Sequence, residues 1–335
     1  MFAETRADEN LYLPSISIVI PTYNSERTLG LCLDSISNQD YPKDKLEILI
    51  ADGGSKDKTL EISRKFGVSK IASNPLRTGE AGKAVGVELA KNEVVLLQDS
   101  DNILDDSNWL RKMVQPFSDE KIVGTEPLCY TYRRHDPLIV RYCALIGMND
   151  PMCLYLGNYD RYSYVTGKWC GFRVDETDRG SYILLRLNKK EVPTIGANGF
   201  LVRRKNIRSV DFKPYLFDID AIYELVNMGQ NQFAKVKIGI VHLFADNPRT
   251  FVRKTYRRIR DFRYYSKHKM RKYPWNSLGA LPVGKFVLYT LIVFPTVRDS
   301  VKGYSKKRDR AWLFHPLACY LTLLVYGIKM LSTLG

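Results

Sequence analysis

Three near-continuous apolar runs, ISIVIP at 16–21, LEILIA at 46–51 and VVLLQ at 94–98, recur at intervals that leave room for a helix between them. Apolar runs of this length belong to strands covered on both faces, because a strand with one wet face alternates apolar and polar residues. Between the first two runs, residues 26–38 set Leu29, Leu33 and Ile36 on one helical face. A second helix is predicted near 57–66 with Ser55 as its cap, and a third over roughly 80–91. This alternation gives a parallel, doubly wound arrangement with helices on both faces of the sheet. Ligands of such sheets gather at the carboxyl ends of the strands. Each run ends there in a polar loop: PTYN, DGGS and QDSD.

The last of these loops carries Asp99 and Asp101, hard oxygen donors, and Asp52 ends the neighbouring strand. Mg²⁺ or Mn²⁺ binds one or two carboxylates and completes its shell with water and substrate phosphates. A metal so held can carry a nucleotide diphosphate and stabilise the charge that develops as it leaves. IPTYN at 20–24, ADGGSKDKT at 51–59 and LQDSD at 97–101, in that order and spacing, resemble the family 2 glycosyltransferases, which have the GT-A fold, a Rossmann-like mixed sheet with helices on both faces. The resemblance continues through GANGF at 196–200 and FDID at 217–220.

That resemblance implies a nucleotide-sugar donor. Pro21, Thr22, Tyr23 and Asp52 would hold its base and ribose, and Asp99, Ser100 and Asp101 the metal and the donor. Mn²⁺ or Mg²⁺ is the implied cofactor, with Asp99 and Asp101 as its ligands. Lys83 is a candidate for the diphosphate, and Asn198 for a tight turn at the sugar. Two positions depart from the family pattern. The Glu that many relatives carry directly after the Asn is displaced by one residue, giving Ser25 then Glu26, and the second Asp of the frequent DDGS motif is Gly53. In LFDID, Asp218 aligns with the catalytic Asp of an acceptor-side Glu-Asp motif, and Phe217 replaces the Glu. The implied general base is Asp218, with Asp220 second; the other reading of both is a helix cap before AIYELV. His242, after KIGIV, is either a neighbour of the metal or an ordinary strand-end histidine.

The middle, about 120–195, is rich in Tyr and Arg. VPTIGANGFLVRR reads as a strand, a glycine turn and a strand, and PYLFDIDAIYELV as a loop leading into a helix. VKIGIVHLF reads as the last strand. After residue 248 the composition changes: residues 253–272 hold ten Lys/Arg and one acid, and a basic amphipathic helix is predicted. Its RRIRD segment is faintly similar to the interface helix of cellulose-synthase-like enzymes, without their Gln and Trp. Two apolar segments follow, 278–297 and 311–328, each about the ~17–25 residues that cross a bilayer core. Much of the net charge of +15 thus lies beside apolar segments, which points to anionic lipids. No nucleic-acid-binding module is recognisable.

The linker 298–310 carries six basic residues, which the positive-inside tendency keeps cytoplasmic. Two full crossings would set it on the far side. Pro282, Lys285 and Pro295 interrupt the first segment, so the other topology is a re-entrant or interfacial first segment with one crossing at 311–333. The polar start, MFAETRADEN, and six cysteines without a CxxC pair point to a catalytic region in the cytoplasm.

The expected organisation is a GT-A domain over 1–248, with a nucleotide-binding half at 14–102 and an acceptor half at 103–248. A basic interface helix at 249–274 and a membrane-embedded part at 275–335 follow. The expected function is inverting, metal-dependent transfer of a hexose to a lipid-linked saccharide at the cytoplasmic face of the cell membrane. GDP-mannose is the first donor and a UDP-hexose the next. One alternative is a polyprenyl (dolichyl)-phosphate glycosyltransferase, since the N-terminal half resembles dolichyl-phosphate mannose synthases. There the nucleophile is already an ionised phosphate and needs no base, so the candidate base favours a saccharide. A non-catalytic membrane-surface protein is a third reading; it predicts erosion of the metal pair or the base, and neither is seen.

Overall fold

β1 (Ile16–Thr22) is buried along almost its whole length, as its β-branched run requires. The computed structural model describes residues 12–275 and 279–331; the polar start of the chain, 276–278 and 332–335 lie outside the described residues. After β1 come α1 (Leu29–Ser37), β2 (Leu46–Asp52), α2 (Thr59–Lys65), β3 (Lys70–Ser73), α3 (Gly79–Leu89) and β4 (Val94–Leu97). Their strands run parallel in the order β3-β2-β1-β4. The register sets Thr22 beside Asp52, so the first two loops leave the sheet at one level.

The helices cover both faces. α1 buries Leu29, Cys32, Leu33 and Ile36, an i, i+3, i+4, i+7 stripe. α3 begins at Thr78, whose hydroxyl accepts the Ala81 N–H at 3.1 Å. It lies so close to β1 that a Cβ on Gly86 would come within 2.1 Å of Val19 Cγ1. Only glycine permits that approach. Ser55 does not cap α2, which starts at Thr59; its hydroxyl turns back to Asp52 instead.

The second half comprises β5 (Asn102–Ile103), α4 (Trp109–Val114), β6 (Ile122–Tyr130), α5 (Leu138–Ile146), α6 (Met152–Leu156), β7 (Asp175–Asp178), β8 (Tyr182–Arg186), β9 (Phe200–Arg203), α7 (Arg204–Ile207), α8 (Asp218–Asn227) and β10 (Gln232–His242). The sheet continues β4-β9-β6-β10-β8-β7, with β9 antiparallel to both its neighbours. The purely parallel rhythm of the first half therefore gives way to a mixed ten-stranded sheet. The strand expected before GANGF does not form. Gly196 (φ +124°), Asn198 (φ +51°) and Gly199 (φ +86°) hold that stretch out of extended conformation. β5 pairs with the end of β10, setting His242 opposite Asn102.

One core layer packs α1 and α4 on the sheet, the other α3 and α8. The C-terminal helices are α9 (Pro248–Lys267), α10 (Ala280–Ile292), α11 (Phe294–Lys306) and α12 (Phe314–Leu331), and a third apolar cluster joins α5 to α9 and α12. The basic helix forms as predicted, starting from the cap Asn247. The first apolar segment is not one helix. α10 and α11 meet at 91° around Val293. Pro295, in the first turn of α11, has no N–H to continue the α10 ladder. Among the described residues one helix, Arg310–Met330, is long and apolar enough to cross a membrane.

Candidate active site

The PTYN and DGGS loops are stitched together before any ligand arrives. Asp52 Oδ1 accepts the hydroxyls of Thr22 (2.9 Å) and Ser55 (2.6 Å), while Oδ2 accepts the N–H groups of Gly54 and Ser55, both at 2.8 Å. The carboxylate is fully occupied as the brace of its own loop. Asn24 Oδ1 accepts Lys56 N–H at 2.9 Å, and Glu26 Oε2 accepts Lys58 N–H at 3.1 Å. Glu26 therefore ties the loops from outside. Pro21 extends β1 opposite Ala51, and the Tyr23 ring stands half-exposed beside Gly53. A Cβ on Gly53 would meet Tyr23 Cδ2 at 3.2 Å, so the departure from DDGS makes room for that ring. Ser100 donates to Ser25 Oγ at 3.1 Å, linking the third loop to the first.

The two metal-candidate carboxylates have different neighbours. Asp101 Oδ1 lies 3.4 Å from His242 Nε2, and Oδ2 accepts Lys254 Nζ at 2.9 Å. Burial works to raise this group, but Lys254 and His242 outweigh it and hold Asp101 well below the usual carboxylate range. Asp99 Oδ1 lies 3.6 Å from Lys83 Nζ, whose closer partner is Asp218 Oδ2 at 2.7 Å. Lys83 is a buried cation, and despite its burial those carboxylates keep it above its ordinary pKa. It bridges Asp99 of the third loop and Asp218 of α8.

Asp218 is the first residue of α8, yet its side chain makes no cap. Oδ2 goes to Lys83; Oδ1 is shut away from solvent without a hydrogen-bond partner. Burial pushes this carboxyl up to about 6, with Lys83 opposing and Asp99 and Glu80 reinforcing. Asp220 faces elsewhere. It accepts Arg271 Nε at 2.6 Å, with the N–H groups of Lys272 (3.3 Å) and Tyr273 (3.1 Å), and pins the chain beyond α9 to α8.

Asn198 closes the crevice from below. Its Oδ1 accepts Asn102 Nδ2 at 3.2 Å, its Nδ2 donates to the Tyr130 hydroxyl at 3.2 Å, and its carbonyl accepts Arg161 Nη2 at 3.2 Å. Arg161 also donates to Ala197 O at 2.9 Å and pairs with Glu126 at 2.7 Å, while Glu126 Oε1 accepts Gly196 N–H at 2.8 Å. Lys235 and Asp160 complete a buried ionic cluster under this loop. Sequence reading did not find Asn102, Asn149, Lys254 or this cluster. The one signal was charge inside otherwise apolar strands, Glu126 in β6 and Lys235 in β10.

The residues fit a divalent metal. Asp99 and Asp101 supply carboxylate oxygens, and the imidazole of His242 adds a nitrogen of the kind Mn²⁺ accepts. Among the described residues no three such side chains form a ready-made cage; a site of this type draws its other ligands from phosphates and water. Asn149 Oδ1 is buried without a partner, and the same amide lies 3.2 Å from His242 Nδ1 through its nitrogen. With that amide rotated, Oδ1 would accept Nδ1–H and leave Nε2 to ligate a metal held beside Asp101.

Known proteins carry related features. Residues 17–176 match the sequence profile described as "Glycosyl transferase family 2". The chain is 31% identical over 111 residues to "Glycosyltransferase AglE" of Haloferax volcanii, a match covering 32% of this chain and 36% of that protein. It is 54% identical over 51 residues to the dolichyl N-acetyl-alpha-D-glucosaminyl phosphate 3-beta-D-2,3-diacetamido-2,3-dideoxy-beta-D-glucuronosyltransferase of Methanococcus voltae, covering 15% of this chain and 16% of that protein. These matches thus span well under half of either relative. In fold, the chain superimposes on the mannosyltransferase PcManGT from Pyrobaculum calidifontis, solved in complex with GDP-Man and Mn²⁺. The TM-score is 0.56 at 14% identity, covering 96% of this chain and 88% of that one. The loop motifs and the profile match agree that residues 17–176 form a glycosyl transferase family 2 domain, and the likeness to PcManGT shows a shared GT-A fold.

Proposed function

We propose that the protein transfers a hexose, with inversion, from a nucleotide diphosphate sugar to a hydroxyl of a lipid-linked saccharide at the cytoplasmic membrane face. The observation that carries this reading is Asp218. It joins Asp99 through Lys83, and one of its oxygens has no partner. In the proposed reaction the acceptor oxygen attacks the anomeric carbon, the bond from that carbon to the diphosphate breaks, and Asp218 takes the hydroxyl proton. The electron pair leaves with the diphosphate. Tyr23, Pro21 and the loop braced by Asp52 receive the base and ribose; Asn198 and its loop shape the sugar side. Asp99 and Asp101, with His242, would hold the metal, which when bound neutralises diphosphate charge.

The acceptor class follows from the base, since a phosphate acceptor would leave Asp218 without a task. The Methanococcus relative, whose name describes transfer to a dolichyl-linked sugar, supports a lipid-linked saccharide. GDP-mannose is the first donor on the likeness to PcManGT. The domain reading stays as drawn from the sequence, a catalytic part to about residue 248 followed by a lipid-facing part. The test is thermal stabilisation of detergent-purified protein by GDP-mannose and UDP-hexoses, with Mn²⁺ and with chelator. Stabilisation by one donor, abolished on chelation, is expected. If none of them stabilises folded protein, the transferase reading falls.

A further inference from the structure

We propose that the chain does not cross the bilayer: α10, α11 and α12 lie along one leaflet, with α12 as an in-plane anchor on anionic lipid. This deepens the membrane attachment proposed above and rests on it.

The exposed apolar side chains of the C-terminal helices fall in stripes. Around α12 they are Leu313, Leu317, Tyr320, Leu324 and Ile328, spaced by three or four residues and 41–78% exposed. The opposite side, His315, Ala318, Cys319 and Thr322, is completely buried in the protein. A helix surrounded by lipid is apolar on every side. This one has a lipid-like face and a protein face.

What covers the protein face decides the depth. Phe314, in the first turn of α12, packs on Phe251 of α9 with centroids 5.4 Å apart, and Lys329, near its end, lies 4.4 Å over the Tyr256 ring. Between them, Leu321 borders a groove of about 530 Å³ with Arg249 and Arg253, and Tyr326 bonds Asp150, the ion-pair partner of Arg258 at 3.2 Å. Leu321 sits near the middle of the Arg310–Met330 segment. Were that segment a span, Arg249 and Arg253 would be drawn to the bilayer centre, where such charges are strongly disfavoured. In the plane of the interface they stay at headgroup level.

The other helices agree. α10 has 13 residues, about 20 Å of helix, short of the ~30 Å hydrocarbon core. α11 exposes Phe294, Val297, Val301 and Tyr304 on one side and Arg298 and Lys302 next to them. Exposed Lys306, Arg308 and Arg310 continue the basic edge, the charge complement of an anionic surface. This topology also keeps the basic linker and the catalytic crevice on the same side, which two crossings would not.

The test is depth-dependent quenching on full-length protein bound to phosphatidylcholine–phosphatidylglycerol vesicles. Leu313→Cys, Tyr320→Cys and Ile328→Cys each carry a bimane, with labelled wild type as background for the native thiols. Lipids bear a nitroxide near the headgroup or near the chain end. We expect all three sites to be quenched best by the shallow nitroxide, to one common depth. Deep quenching at Tyr320→Cys with shallow quenching at both ends would overturn the in-plane anchor while leaving membrane attachment intact. Failure to float with vesicles, with the chain dimeric in solution, would assign the stripes to a second copy and remove both. Arg298→Gln and Lys302→Gln should weaken vesicle binding roughly five-fold for each charge removed.

Discussion

The half of this protein proposed to bind the donor (14–102) and the half proposed to bind the acceptor (103–248) are built by opposite means. In the donor half the first two loops satisfy each other's polar groups. Asp52 receives four hydrogen bonds, from Thr22 and from the two residues that follow Gly53. In the acceptor half, and where it meets the donor half, the decisive pairs come from far apart in the chain and are buried: Lys235 with Glu126 and Arg161 with Glu126 within it, Lys83 with Asp218 between the two. A surplus of small, redundant hydrogen bonds gives a loop that tolerates the loss of one. Buried charges give rigidity that fails abruptly when one partner is lost.

The largest effect should come from the acceptor half. Asp218→Asn keeps the shape of the side chain and its place at α8 but cannot take a proton. Transfer should fall about 10²–10⁴-fold, with donor affinity unchanged in a binding assay. Wild-type turnover would return Asp218 to a structural role. Stability sharpens the contrast further. Arg161→Met leaves Glu126 and Asp160 with Lys235 alone and should cost about 3–5 kcal/mol in denaturant unfolding. Thr22→Val removes one of the four donors to Asp52 and should cost only about 1 kcal/mol. Equal losses would erase the distinction between the halves.

The same distinction decides what could be read from the sequence. The parallel strands of the donor half, their helices and the three loops were legible because each is local: an apolar run, a helical stripe, a turn motif. The mixed sheet followed from the family resemblance and is present. The chemistry of the acceptor half depends on which face a residue takes after long-range packing. Lys254 was read as one of ten basic residues in a surface helix, and nothing local says that its phase turns it to Asp101. Lys83, a candidate for the diphosphate, is buried between two acids, a placement that no local pattern signals. Asp218 and Asp220 are two residues apart with the same local signal, yet one faces the crevice and the other holds Arg271. The break at Val293 was foreshadowed only by Pro295.

Protonation offers a finer test of the link between the halves. With Asp218 raised to about 6 by burial, the proposed base is protonated below that pH and ionised above it. Transfer should therefore rise with pH through about 6 and level off above, giving an acid limb in kcat/KM. Lys83 opposes the effect of burial, so Lys83→Met should move the limb to higher pH. A limb that stays in place would mean that Lys83 does not govern the base.

The smallest effect is expected where the donor half touches its ligand. Gly53 and Gly54 are adjacent glycines with different reasons to be glycine. Gly54 has φ +84°, where a side chain is strained whatever the space, so Gly54→Ala should destabilise the fold by about 1–2 kcal/mol. Gly53 is constrained from outside: an added Cβ meets Tyr23 at 3.2 Å and the Arg77 backbone at 3.3 Å. The Tyr23 ring is 49% exposed and can move by a few tenths of an ångström. Gly53→Ala should leave unfolding unchanged and weaken nucleotide binding by less than about tenfold, measured by calorimetry with the diphosphate alone. Complete loss of binding would mean that the loop holding Tyr23 is as rigid as the acceptor side, and that its redundant hydrogen bonds fix the ring as firmly as a buried ion pair would.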